Sequence, residues 1–219
     1  MIKICKACHD NEHLRGRPYK LGTTRAPSDF VERLTSSIMS ETLHREEEMR
    51  MKLTEFLRAE LDREVDRSRR ALEQVPEGKY DWKPHDKSMI FGYLANMVAT
   101  MPTWMVMGIM QDELDVAPAE GSNMERKRLD SSAALVEALD QAAAAARSAL
   151  DQTNDEFLKT SWRLLARGQV VMETPRYEMI QDTINHWAHH RGQMTVYLRL
   201  MGAKVPAIYG PSADDREFG

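Results

Sequence analysis

The chain has 219 residues, of which 29% are charged, a formal net charge of −4 and an isoelectric point near 6.0. That length suffices for one domain of ordinary size plus an extension, and acids and bases are interspersed, so no basic field exists to recruit nucleic acid. No apolar run approaches the roughly 20 residues of a membrane span and no signal-peptide core opens the chain, so the expectation is a cytoplasmic protein with no membrane partner.

Residues 1–48 mix Gly, Pro, Asn, Ser and charge without sustained periodicity, which predicts a largely disordered extension. Cys5-Lys-Ala-Cys8-His9 matches a haem-attachment pattern, and His13 extends it toward a zinc set. Haem attachment needs export and a closed zinc site needs a second half, so neither haem nor zinc is expected there. Both cysteines lie in the first ten residues, which leaves the main body without a thiol nucleophile. Met39, Met49 and Met51 are alternative starts that would omit most of this segment.

From Lys52 the residues Leu53, Phe56, Leu57, Leu61, Val65 and Leu72 recur at helical spacing, and Pro76-Glu-Gly78 ends that first long helix. Tyr80 to Lys87 reads as an ordered loop, with Ser88 as N-cap of a second helix that carries Phe91, Leu94, Met97, Val98, Met101 and Met105 on one face. Pro102 should kink or interrupt it. Residues 111–128 read as loop, Ser131 or Ser132 caps a third, alanine-rich helix, and Leu158–Met172 around Arg167-Gly168 predicts a hairpin. Thr174 and Pro175 then supply the N-cap and first residue of a last helix, which ends at Gly202. Four long helices with one inserted β-hairpin argue for an all-α antiparallel four-helix bundle.

The last helix is the chemically informative one. At about 100° per residue, Ile180, Ile184, Trp187, Met194 and Leu198 form the core stripe. His186 and His190 share one direction at the edge of that stripe, with Gln193 and Tyr197 continuing their row, whereas His189 points nearly opposite. Imidazoles at i and i+4 can share one divalent ion, or they can be half-buried groups hydrogen-bonding across a bundle. No Glu follows the first His, so a zinc-protease H-E-x-x-H site is excluded.

Several separated pieces together resemble one family: Trp82-Lys-Pro-His-Asp-Lys-Ser-Met89, Gly92-Tyr-Leu-Ala95 leading to Pro102-Thr-Trp104, Pro175-Arg176, His186-Trp-Ala-His-His-Arg-Gly-Gln193, and the tail Val205 to Asp214. The chain is similar to the DinB-like (damage-inducible, YfiT-like) metal-binding four-helix bundles over residues 49–215, with 216–219 as a tail. The resemblance implies an up-down-down-up bundle, a homodimer, a role in stress response, and a pocket holding one divalent ion (Zn, Ni, Mn or Fe) on one His of the second helix and two of the last. His186 and His190 match the last-helix pair, but Met97 stands where the second-helix His belongs. A thioether is a weak ligand for those ions and suits copper(I). Asn96 points about 100° away, and His85 reaches the pocket only if its loop folds over it.

The resemblance implies a metal- and low-molecular-weight-thiol-dependent transferase, acting on a small thiol and an electrophile, with Met97, Met101, Gln193 and Tyr197 lining the pocket. The alternative is a catalytically silent bundle that binds a small ligand or a protein. Deleting residues 1–38 is expected to leave the thermal midpoint nearly unchanged, since nothing there has the periodicity to dock. Calorimetry of the truncated chain checks this, and a loss of several degrees would reveal core area in the extension.

Overall fold

The computed structural model describes residues 51–118 and 128–216, together with positions 32, 33, 36, 37 and 39–41. The chain divides into two units, Met1–Arg50 and Met51–Gly219. The described positions of the first are helical, and Cys5, Cys8, His9 and His13 lie outside the described residues, as does most of the expected extension.

The second unit is mostly helical. Helix α1 (Leu53–Leu72) has no cap from its own N-terminus. Asp155 supplies one from across the fold: its carboxylate accepts from the backbone of Leu53 at 2.8 Å and Thr54 at 3.1 Å, and from the Thr54 hydroxyl. Burial works against the Asp155 carboxylate, but these donors outweigh it and hold its pKa below the ordinary aspartate value. Helix α2 (Phe91–Thr100) begins at Ile90, and Ser88 does not cap it. Backbone carbonyls of the preceding loop do that work instead, Trp82 accepting from Phe91 and Tyr80 from Gly92, both at 2.8 Å. Tyr80 lies flat on Gly92, where a Cβ would come within 2.1 Å of the ring, so the loop can seat only on glycine.

Pro102 opens α3 (Pro102–Met110) directly after α2, with Met101 between them still in helical conformation. A proline has no N–H, so the Val98 carbonyl one turn back loses its helical donor. The Trp187 indole N–H donates to that carbonyl at 2.8 Å from a wholly buried ring. The interruption expected at Pro102 is thus present, and a side chain of the last helix closes it.

Ser131 caps α4 (Ser132–Asp151) by accepting from the Ala134 N–H at 3.2 Å. Ala142, Ala143, Ala146 and Ala149 are buried, and these small side chains let α4 pack against α1, α2 and α3. A short helix α5 (Asp155–Leu158) leads into the sheet.

That sheet has three strands, β1 (Glu113–Asp115), β2 (Ser161–Ala166) and β3 (Gln169–Pro175), in spatial order β1-β2-β3. The β2–β3 hairpin is antiparallel about Arg167-Gly168, both at positive φ as a two-residue primed turn requires. The turn is where the sequence indicates, while the strands span residues 161–175 rather than 158–172. β1 pairs parallel to β2 inside the stretch 111–128 that reads as loop. The loop reading misses it because the strand has only three residues and draws its partner from fifty residues away. The Asp115 carboxylate accepts from Ala117, Gly168 and Arg167 N–H groups, which lowers its pKa and helps hold Arg167 at its unfavourable φ of 54°.

The last helix, α6 (Arg176–Leu200), packs on α1, α2 and α3. Pro175 is its N-cap and Thr174 belongs to β3, so the expected Thr174 cap is displaced by strand pairing to Trp162. Its C-terminus closes as a Schellman motif, with Gly202 at φ 76°, Ala203 N–H donating to Leu198 and Gly202 N–H to Arg199. Among the described residues no helix is long and apolar enough to cross a membrane.

Trp187→Phe is expected to strand the Val98 carbonyl, adding about 1–3 kcal/mol to the packing loss. In a Pro102→Ala background that share shrinks, because a peptide N–H returns to Val98. Urea denaturation of the four proteins in this cycle measures it, and equal costs in both backgrounds would show that the indole serves some other purpose.

Candidate metal and ligand centre

Three buried arrangements fix how α6 presents its polar row. Trp187 is tied to α2 as described. Arg191, one turn on, is 1% exposed and donates to the Glu64 carboxylate of α1, to Ser68 Oγ at 3.1 Å and to the Tyr209 hydroxyl at 2.6 Å. Arg67 also donates to Glu64 and lies 4.3 Å over the Tyr209 ring, so one ionic cluster joins α1, α6 and the C-terminal loop. At the start of α6, Arg176 donates to the carbonyls of Gly108 at 2.8 Å and Gln111 at 2.6 Å and pairs with Asp112. That guanidinium serves the carbonyl end of α3 and holds α3 beside α6. None of these residues stands out in a search for metal ligands. The available signal was a charge at the centre of an apolar stripe: Arg191 among Ile184, Trp187, Met194 and Leu198, and Glu64 between Leu61 and Val65.

With α6 so fixed, His186 and His190 converge, their Nε2 atoms 2.7 Å apart. His190 is buried, while His186 sits at the exposed rim with its ring edge-on to Trp104, centroids 6.2 Å apart. The pair therefore shares a face but reaches the interior only through His190. His189 is exposed, with its ring edge-on to His190 and centroids 5.2 Å apart. His190 Nδ1 lies 2.8 Å from Gln193 Oε1. An amide oxygen accepts, so His190 carries its proton on Nδ1 and offers its Nε2 lone pair to the Nε2–H of His186. Burial, then the neighbouring His190 and His189 rings, push the His186 pKa below the ordinary imidazole value.

Tyr197 continues the row, half-buried, edge-on to Trp82 at 5.6 Å and with its hydroxyl directed at the Met89 carbonyl. Met97 is half-buried against the core, whereas Met101 is 1% exposed and belongs to the core rather than to an open pocket. His85 is exposed, and its Nδ1 accepts from the Lys87 backbone within its own loop. Among the described residues no group of three His, Cys, Asp or Glu side chains could hold a metal ion. The donors present therefore do not fit a three-ligand divalent site: two imidazoles converge, and Met97, where the family resemblance expects the third His, carries a thioether. Two nitrogens on one tetrahedral zinc ion sit about 3.3 Å apart, so the pair would also have to open by about 0.6 Å.

A model of the DinB family matches residues 39–217. The chain belongs to the DinB family. It is 39% identical over 72 residues to the uncharacterized protein YrdA of Bacillus subtilis, a stretch that makes up 29% of this chain and 41% of that protein. In fold it is similar to a DinB-like protein from Bacillus cereus, with a TM-score of 0.53 and 21% identity over 67% of this chain and 91% of that one. A DinB-like protein from Bacillus subtilis, YjoA, gives a TM-score of 0.52 and 17% identity over 73% and 99% of the two chains.

The depressed His186 pKa has a defined effect on stability in this DinB-family chain. The unfolded chain takes up the proton first as pH falls, so the stability linked to His186 is complete above about pH 6.5 and is lost as pH drops from there toward the lower folded value. The urea midpoint should fall further between about pH 7.5 and about pH 5.5 in the parent than in His186→Gln. Equal falls in the two proteins would mean that this site does not disfavour the imidazolium.

Proposed function

We propose that this DinB-family protein is a binding bundle, with α1, α2–α3, α4 and α6 in up-down-down-up order, whose His186–His190 pair receives a small ligand without a complete divalent-metal centre. The observation that carries this reading is the donor set. The two imidazoles satisfy each other and His190 also meets Gln193, and the position where the family resemblance expects the third nitrogen is Met97. Trp104 stands edge-on to His186, an aromatic face that suits a small apolar or soft ligand at the pair. A second reading retains a divalent ion and a thiol-dependent transfer reaction, favoured by the convergence of the two Nε2 atoms.

Zinc and nickel titrations of the protein without an affinity tag, with Cys5 and Cys8 changed to Ser, separate the readings. A complete site at a hundredfold excess of ion over its dissociation constant raises stability by about 2.7 kcal/mol. The parent should show almost none of this. Met97→His should show it, after a loss of about 1–2 kcal/mol of apolar burial in the ion-free state. A parent that responds as strongly as Met97→His has a complete divalent site, and the transferase reading then stands.

A further inference from the structure

Away from the histidines, α6 and α1 leave a cleft between their first turns. Tyr177 precedes His186 by nine positions and so lies about 180° from it around the helix. Together with Leu53, Phe56 and Leu57 of α1 it walls a cavity of about 230 Å³. That is less than the roughly 300–1,000 Å³ of pockets that take drug-sized molecules, and it suits one ring with a short chain. Phe56 is 39% exposed, so the cavity opens to solvent beside an aromatic ring.

The polar groups that line it are Glu178, Gln181 and Asp182. The Tyr177 and Thr174 hydroxyls donate to the two Glu178 oxygens, at 3.0 and 2.7 Å, which fixes that carboxylate without neutralising it. Gln181 donates its NH₂ to Asn185 at 3.4 Å and keeps its amide oxygen as a further acceptor. The helix macrodipole accounts for Glu178, which stands in the first turn of α6. It does not account for Asp182, one turn further on, where a like charge at i and i+4 is unfavourable. Among the described residues no cation pairs with either carboxylate. An apolar cleft edged in this way repels anions and selects a cation with an apolar body.

We propose that this cleft is a second binding site, independent of the histidine pair, for a small arylalkylammonium ion whose ring lies against Phe56 and Tyr177 and whose ammonium meets Asp182 and Glu178. An ammonium brings three donors and no acceptor, which matches two carboxylates and an amide oxygen. The faces of the two aromatic rings attract the same charge. The ring of the ligand removes the apolar floor of Leu53 and Leu57 from water. Binding makes and breaks no covalent bond.

The test follows amide ¹H–¹⁵N spectra of the full chain titrated at low salt with 2-phenylethylammonium. Phenylacetate, which keeps the ring and reverses the charge, and ethylammonium, which keeps the charge without the ring, are titrated in parallel. The expected result is a saturable set of shifts centred on residues 53–57 and 177–182, with 2-phenylethylammonium binding about tenfold or more tightly than either comparison ligand. Asp182→Asn should weaken it roughly threefold to fivefold, the effect of one exposed charge pair. His186→Gln should leave it unchanged. Asp182 is exposed and outside the core, so its variant keeps the fold, and the ligand series on the parent decides the question without any variant. Phenylacetate bound as tightly as the amine overturns the proposal. So does the absence of saturable shifts with the amine, or a response centred on residues 186–190 that His186→Gln abolishes.

Discussion

A proline in the second long helical segment sets the problem that the last helix solves. Without an N–H at position 102, the Val98 carbonyl faces a dry interior with no partner, a situation that native proteins rarely tolerate. The Trp187 indole supplies the missing donor from a ring with no exposed surface. Meeting that requirement fixes both the rotation of α6 and its position along α2–α3. His186, the preceding residue, is thereby turned to the edge of Trp104, and His190, a turn later, is turned inward. The histidine row is where it is because a backbone group elsewhere needed a hydrogen bond.

Charge enforces the same rotation. Glu64 and Arg191 are almost completely buried, and taking both out of water consumes much of what their attraction returns, so the pair adds little net stability of its own. Removing one partner is another matter, because an uncompensated charge in the core costs about 3–5 kcal/mol. Any alternative rotation of α6 would incur a penalty of that kind. Ser68 and Tyr209 satisfy the remaining donors of Arg191, and through Tyr209 the cluster also holds the C-terminal loop, whose Asp214 and Asp215 accept from Val205 and Ala207. Arg176 plays the corresponding part at the other end of the helix by occupying the open carbonyls of α3.

The helical periodicities of α1, α2, α4 and α6 were readable from sequence because an apolar stripe at 3.6-residue spacing is a local property. So were a serine cap at Ser131 or Ser132, the turn at Arg167-Gly168 and the Gly202 terminus, where side chain or φ requirement marks the place. The caps at Ser88 and Thr174 were not, since tertiary partners took their place: loop carbonyls at α2 and strand pairing at β3. Nor was β1, whose three residues have meaning only beside β2. Within the candidate centre, the shared face of His186 and His190 followed from spacing alone. The unequal burial of the two rings, and the withdrawal of Met101 into the core, depended on how closely α2 approaches α6, which no single helix encodes.

The self-contained hydrogen bonding of the histidine pair also bears on what the third donor can decide. An ion entering between the rings must break the His186–His190 contact, whose net worth is about 0.5–1.5 kcal/mol. That corresponds to about a tenfold change in affinity at most. The Gln193 contact survives, because it uses the ring nitrogen facing away from the ion. The resting pair is therefore a weak barrier to metal and discriminates little among ions that imidazole can bind. Any preference among them has to come from a further donor, because the pair offers the same two imidazole nitrogens to each.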